Sequence, residues 1–399
     1  MTRFPLPLIV ACGCAIALLG FGPRSAFGLF QADLAEMRPW GREAFSLAFA
    51  IQNLMWGIGQ PLCGAIADRY GSWRVLAAGG LLYALGTAGI VYFTSEAALY
   101  LLFGVTIGLG MSAASFTIVL SAFGRSVTPA KRSLAFGIGT ASGSLGMFVF
   151  GPLGAVLMSR FGVIDTMLFF AALLLLIIVL AIPLQGRSTP DPNAPSETLG
   201  QAISGALRHR SYVLLVFGFF VCGFHVAFII AHMPAFLGDL GLPATLAGTA
   251  LGLIGLFNVF GALAAGWIGS YGKRAYSLSA LYLARSIAIA AFIVLPVTPV
   301  SVLVFASVMG LLWLSTVPLT SGLVATMFGP RYMATLFGLV FLSHQIGSFL
   351  GVWLGGVIYD RTGSYDGLWW LGVALGVFAA IVHLPIKDAP APQLRAATA

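Results

Sequence analysis

Charged residues are what this sequence has least of. Lys and Arg number 20 and Asp and Glu only 12 in 399 positions, 8% in all, against 59% hydrophobic residues. A soluble domain carries roughly 25% charged residues, so a water-facing surface over most of the chain is excluded. Cysteine is nearly as scarce, and Cys12, Cys14, Cys63 and Cys222 all fall inside apolar runs. Packing is their expected role, because disulfides are out of place there and Cys12-x-Cys14 has no carboxylate or histidine cluster to make a metal site. Acids are missing from the middle of every apolar run. Asp33, Glu36, Glu43, Glu96, Asp165, Asp239, Asp360 and Asp366 stand near one set of run ends, and Asp68, Asp191, Glu197 and Asp388 near the other. Many proton-coupled carriers use a buried acid as the proton site, as do exporters of cationic drugs. This sequence offers none.

Long apolar runs are what it has instead. Spanning a bilayer as a helix takes about 20 apolar residues, and such runs fall near 6–31, 43–67, 74–93, 97–123, 132–158, 164–184, 211–237, 244–269, 275–295, 299–327, 332–358 and 366–386. That predicts twelve transmembrane helices and no cofactor-binding soluble domain between them. The first run exceeds a signal peptide's apolar core of about 7–15 residues and is expected to stay as the first span.

The net charge of +8 is an orientation signal rather than a nucleic-acid surface. With the N-terminus inside, Arg3, Arg69, Arg74, Arg125, Lys131, Arg132, Arg187, Arg208, Arg210, Lys273, Arg274, Arg331, Lys387 and Arg395 are cytoplasmic, and Arg38, Arg42, Arg160 and Arg361 are outside. Fourteen against four is the positive-inside bias. It predicts a multi-pass protein of the cell (inner) membrane with both termini cytoplasmic, expected as a monomer.

A polar stretch rich in Pro, Ser and Asp (PLQGRSTPDPNAPSE) interrupts the helices. It predicts a six-helix bundle over 1–184, a cytoplasmic linker over 185–210, a second bundle over 211–388 and a short tail over 389–399. A constant shift of 201 residues superposes glycines of the two halves: Gly71 on Gly272, Gly137 on Gly338, Gly146 on Gly347 and Gly154 on Gly355. Arg160 meets Arg361, and Gly162 meets Gly363. Internal repetition predicts two related bundles, and glycines at helix contacts let backbones approach closely.

The loop after the second run reads Gly64-Ala-Ile-Ala-Asp68-Arg69-Tyr-Gly71-Ser-Trp-Arg74. It resembles the G-x3-D-R-x-G signature of the major facilitator superfamily, which implies an all-α membrane fold of two pseudo-symmetric six-helix bundles related by an axis along the membrane normal. Asp68, Arg69, Gly71 and Arg74 would then form a conformational latch; the bland alternative is that these bases only set topology. The equivalent Gly266-Trp-Ile-Gly-Ser-Tyr-Gly272-Lys273-Arg274 lacks the acid. Lys131-Arg132-Ser-Leu-Ala-Phe-Gly137-Ile-Gly-Thr-Ala-Ser-Gly143, Pro23-Arg24-Ser25 and Tyr359-Asp360-Arg361-Thr-Gly363-Ser-Tyr365 resemble motifs of monocarboxylate transporters. That resemblance places Arg24 where the family has the lysine that takes part in binding proton and carboxylate. The family's aspartate–arginine pair of the eighth helix falls on Asn258 and Ala262, and its phenylalanine of the tenth on Leu319.

Two arginines lie inside runs, Arg24 in the first and Arg285 in the ninth. A central arginine costs about 2.5–3.5 kcal/mol on insertion scales, so each is a candidate site; its fork of donors suits a carboxylate. The facilitator fold lines its cavity with the first helix and leaves the ninth peripheral, so Arg285 has a structural alternative, bonding carbonyls of neighbouring helices. The 201-residue shift pairs Arg24 with His225, which would face the cavity from the other bundle. Histidine titrates near neutrality, so a carboxylate held between the two would bring a proton with it. The alternative is a neutral histidine bonded inside its bundle. His232 lies two turns on from His225 and is a second candidate for the proton. His344, Gln345, Asn53, Asn258 and Gln52 are polar groups in spans that contact substrate or tie helices together, and a metal at His225, His232 and His344 lacks a carboxylate partner. Trp313, Ser315, Thr316 and Thr320 on the tenth helix are candidate lining residues. Pro23 frees the carbonyl of Leu19, a kink for gating or for shape.

These observations predict a carrier of a small organic anion, a monocarboxylate, by alternating access with proton symport. Anion exchange and export of drugs or neutral metabolites are the alternatives within transport; a non-transporting sensor or scaffold is the alternative of another class. An enzyme is not expected, since no nucleophile–base set lies in the spans.

Overall fold

The computed structural model describes residues 4–37, 42–186, 198–271 and 273–391, and among them the chain is nearly all helix. Eleven stretches are long and apolar enough to cross a membrane. A further long helix, Arg42–Tyr70, occupies the place of the predicted second span. It is the most polar of the set, because it carries Gln52, Asn53, Gln60, Asp68 and Arg69. In chain order the spans are Leu6–Met37, Arg42–Tyr70, Ser72–Tyr92 and Glu96–Ser126; then one helix, Arg132–Leu180, bent at Gly162, supplies the fifth and sixth. The seventh to twelfth are Arg210–Asp239, Ala244–Gly269, Arg274–Val294, Pro299–Phe328, Met333–Thr362 and Asp366–His383.

Two compact units emerge, with bounds that differ from the predicted halves. The first joins Met1–Pro129, Ser142–Asp191 and Pro330–Gly338; the second joins Ala130–Ala141, Pro192–Gly329 and Leu339–Ala399. The start of the fifth span thus groups with the second unit, and the start of the eleventh with the first. The predicted linker is not all irregular: Leu199–Arg208 is a helix whose N-terminus is closed by a capping box of Thr198 and Gln201. The rest of that stretch, 187–197, lies outside the described residues, as do 392–399 of the tail.

The repeat is visible in backbone detail. Gly162 and Gly363, related by the shift, both take positive φ, 79° and 68°, a conformation that favours glycine. A Cβ on Gly146 would strike the carbonyl of Leu18, and one on Gly347 the carbonyl of Phe220. The fifth and eleventh spans therefore press glycine faces on the first and seventh.

The shift also superposes two helix breaks. In the fourth span the helix stops at Ala113 and restarts at Phe116, with Ser115 as its cap. In the tenth it stops at Leu312 and restarts at Thr316. Ala114 thus corresponds to Ser315. Each break sits against a glycine of a neighbouring span, since a Cβ on Gly79 would meet the backbone of Ala113 and Ala114, and one on Gly261 the carbonyl of Leu311.

Candidate functional site

In the first unit, Arg24 directly follows Pro23 within the first span and is partly buried. Its guanidinium donates to Asn53 Oδ1 at 2.5 Å and to Gln52 Oε1 at 3.4 Å. The rings of Phe49 and Trp56 flank it, with Cζ 5.1 and 5.0 Å from their centroids. These four residues fall on the second span at a spacing that brings one helical face to Arg24. Gln52 is anchored in turn by donating to the Phe103 carbonyl at 3.1 Å, and Asn53 donates to Phe49 O at 3.1 Å. These partners of the cation are all neutral, and neither ion pair among the described residues involves it. Its fork of donors, walled by aromatic rings and met by amide oxygens among the described residues, has the chemistry that complements an anion.

In the second unit the predicted residues gather at the break of the tenth span. Asn258 Oδ1 accepts from the amide of Leu314 at 2.9 Å, and Arg285 Nε donates to the carbonyl of Leu312 at 3.0 Å. Arg285 Nη2 bonds the carbonyls of both Leu312 and Trp313. The two side chains thereby answer backbone groups that the break leaves open, which matches the structural alternative for Arg285. Thr316 Oγ1 meets Cys222 Sγ at 3.3 Å, and Trp313 is buried.

His225 was expected to face a cavity. It packs inside its own unit instead: fully buried, with Nε2 2.7 Å from the Gly372 carbonyl and its ring beside Phe228. Gly372 and Gly376 on the twelfth span make the room, for a Cβ on Gly376 would approach the ring to 3.0 Å. His232 Nε2 lies 2.9 Å from the Val352 carbonyl, with Tyr365 against the ring. His344 Nδ1 pairs with Gln345 Oε1 at 3.1 Å and stacks on Phe341. The three histidines have separate partners, and no group of three or more metal-ligating side chains exists among the described residues.

The family model for the Major Facilitator Superfamily matches residues 9–352. The chain belongs to the Major Facilitator Superfamily. Among its relatives, the MFS-type transporter YcxA of Bacillus subtilis is 24% identical over 86% of this chain and 85% of that protein. Monocarboxylate transporter 13 of Bos taurus is 26% identical over 93% of this chain and 88% of that one. The fold is similar to that of the Escherichia coli fucose:proton symporter FucP, with TM-score 0.73 at 15% identity over 95% and 98% of the two chains. It is likewise similar to that of the proton:xylose symporter XylE, with TM-score 0.74 at 14% identity over 98% of each. This facilitator is a multi-pass membrane transporter, not an enzyme.

The facilitator signature then takes a specific form. Asp68 accepts from the amides of Ala334 and Thr335 at 3.3 and 2.9 Å and from Thr335 Oγ1 at 2.9 Å. It caps the first turn of the eleventh span, where the helix dipole favours a negative charge. The base beside it is Arg125, at 3.8 Å, rather than the predicted Arg69 or Arg74. Arg125 also donates to Ser121 at 2.7 Å and to Ser72. Arg69 and Arg74 are exposed and lie over the rings of Tyr70 and Trp73, where water already solvates them. Gly71 turns the loop at φ 94°. Arg125 and Thr335 escaped sequence reasoning because they stand 57 and 267 positions from Asp68; the visible signal was only that Arg125 closes a cytoplasmic helix end.

Proposed function

We propose that this facilitator carries a small organic anion, a monocarboxylate, by alternating access with a proton, as a monomer in the cell membrane with both termini cytoplasmic. The observation that carries the reading is Arg24: a guanidinium inside a span, met by two side-chain amides and two aromatic faces. A carboxylate is the natural complement of such a fork. The resemblance to monocarboxylate transporters, which runs over most of the chain, supports the substrate class. The symporters of sugars that share the fold support proton coupling in general and not this substrate.

For the proton, His225 remains the candidate. Its Nδ1 is buried without a hydrogen-bond partner, and the arginine within electrostatic reach of its ring is Arg285 of its own unit. A charged ring in that place needs an anion nearby, which ties protonation to anion arrival. Exchange of anions without a proton is the second reading, favoured by the bond that already holds His225 to Gly372.

One assay tests both assignments: accumulation of a labelled monocarboxylate in proteoliposomes with an acid-outside gradient. Arg24→Lys should impair uptake and Arg24→Gln should abolish it. His225→Gln should lose gradient-driven accumulation yet keep exchange of labelled anion. Full transport by Arg24→Gln would remove Arg24 from the site, and gradient-driven accumulation by His225→Gln would move the proton elsewhere.

A further inference from the structure

Arg285 is fully buried, and its acceptors among the described residues are two backbone carbonyls, both neutral. Those bonds use Nε and Nη2, while Nη1 is buried with no partner. A desolvated guanidinium with neutral acceptors alone leaves a full charge uncompensated. The acids of this half stand at helix ends or in the tail, out of the bilayer's middle. The bonds to Leu312 and Trp313 fix the cation at the break of the tenth span, where the thirteen-residue helix Thr316–Phe328 begins. Helix N-termini favour negative charge.

More donors than acceptors converge there. The Tyr282 ring lies under the guanidinium, 5.3 Å from its Cζ. The Tyr282 hydroxyl is fully buried and lies toward Thr316 and Cys222, without a hydrogen bond of good geometry to either. One turn into the helix, Thr320 Oγ1 is also buried and unpartnered. The open Nη1 of the cation, with two buried hydroxyls on the two helices it joins, is more than a strut for two carbonyls requires, and buried polar groups are ordinarily paired.

We infer that the break of the tenth span is a seat for a compact monoanion, a carboxylate or a halide, held by Arg285, the hydroxyls of Tyr282 and Thr320, and the N-terminus of the helix that starts at Thr316. The residues of the seat all belong to the second unit, and Arg24 is not among them. It deepens the anion reading above and shares its premise that the chain takes small anions.

The test is a titration of the purified full-length protein with sodium acetate or sodium chloride at constant sodium, sodium gluconate serving as the bulky reference. The readout is the thermal unfolding midpoint, since a ligand that binds the folded state raises it. Wild type and Arg24→Gln should be stabilised by acetate, chloride or both. Arg285→Gln should bind at least about tenfold more weakly, as loss of a charged partner implies. Should Arg285→Gln fail to fold, Tyr282→Phe and Thr320→Val, which keep the cation, should each weaken the anion about three- to tenfold. A response to acetate alone or to chloride alone supports the seat and identifies its occupant. The seat is overturned if no anion stabilises wild type, if Arg24→Gln abolishes the effect, or if Arg285→Gln, or both neutral variants, bind like wild type. Uptake by Arg24→Gln judges the transport reading and plays no part in this titration, so either can fail alone.

Discussion

The two halves fasten corresponding places with opposite chemistry. In the first unit an acid is the hub: Asp68, at the end of the second span, binds the start of the eleventh span and faces Arg125 at the end of the fourth. In the second unit a base is the hub. Arg274, opening the ninth span, donates from Nε to Ser133 Oγ at 2.9 Å and from Nη1 to Thr326 Oγ1 at 3.2 Å. The 201-residue shift carries Arg125 onto Thr326 and Ala334 onto Ser133, so the same two helix ends are tied. Asp68 itself corresponds to Gly269, where a Cβ would press on Ser133 and Leu319 at about 3 Å. With no room for an acid there, the negative partner comes from the tail. Asp388 accepts from Arg274 Nη1 at 2.9 Å and from its backbone amide at 3.1 Å, and Ala391 N–H donates to Met327 O at 2.9 Å. Position is repeated between the halves while the sign of the hub is not.

The largest effect should come from breaking the acidic hub. Asp68 is buried, and its replacement strands Arg125 and two amides of a helix N-terminus. Removing one partner of a buried charged network costs on the order of 3 kcal/mol. In Asp68→Ala the amides of Ala334 and Thr335 should therefore exchange with deuterium about 100-fold faster. Asp68→Asn, which still accepts a hydrogen bond, should show a smaller rise. Unchanged exchange in Asp68→Ala would mean that the cap contributes nothing to the order of this helix end.

The basic hub should give less. Arg274 and Asp388 form an ion pair with side chains 11% and 13% exposed, so solvent screening discounts it to about 1 kcal/mol. A double-mutant cycle of Arg274→Gln and Asp388→Asn, read by thermal unfolding, should return coupling of that size. Coupling near zero would make Ser133 and Thr326 the true partners of Arg274 and the tail a bystander.

How far this was legible in the sequence depends on the range of each interaction. The spans were plain, because about 20 apolar residues in a row report on the solvent directly. The exception was Arg42–Tyr70, whose polar face pays for its place by holding Arg24. The repeat also showed, through glycines whose positions are dictated by backbone contact. The breaks at Ala114 and Trp313 did not show, because neither carries a glycine or a proline at the break itself, and the side chains that answer the open backbone groups of the second, Asn258 and Arg285, lie far away in sequence. Arg24 stood out as a charge in an apolar run, but the inward turn of His225 depends on Gly372 and Gly376, 147 and 151 positions on. Asp388 looked like an ordinary acid at the inner end of the last run. Its pairing with Arg274 spans 114 positions and follows no period.

The smallest effect concerns the two bases that the signature itself points to. Arg69 and Arg74 flank Asp68 in sequence, and a reading by proximity gives them to the latch. Helical geometry sends them elsewhere: both are exposed and rest on the neighbouring rings of Tyr70 and Trp73, while the ion pair with Asp68 belongs to Arg125. Exposed substitutions away from buried partners change stability little, within about 0.5 kcal/mol. Arg69→Gln and Arg74→Gln should thus alter the exchange of Ala334 and Thr335 by less than about threefold. Arg125→Gln should exceed both, because it removes the charge that faces the buried carboxylate and leaves Ser72 and Ser121 without their donor. If Arg69→Gln or Arg74→Gln matched Arg125→Gln, the exposed bases would be part of the acidic hub after all. The contrast between the halves would then narrow, since both hubs would draw their counter-charge from the chain segment beside a span end.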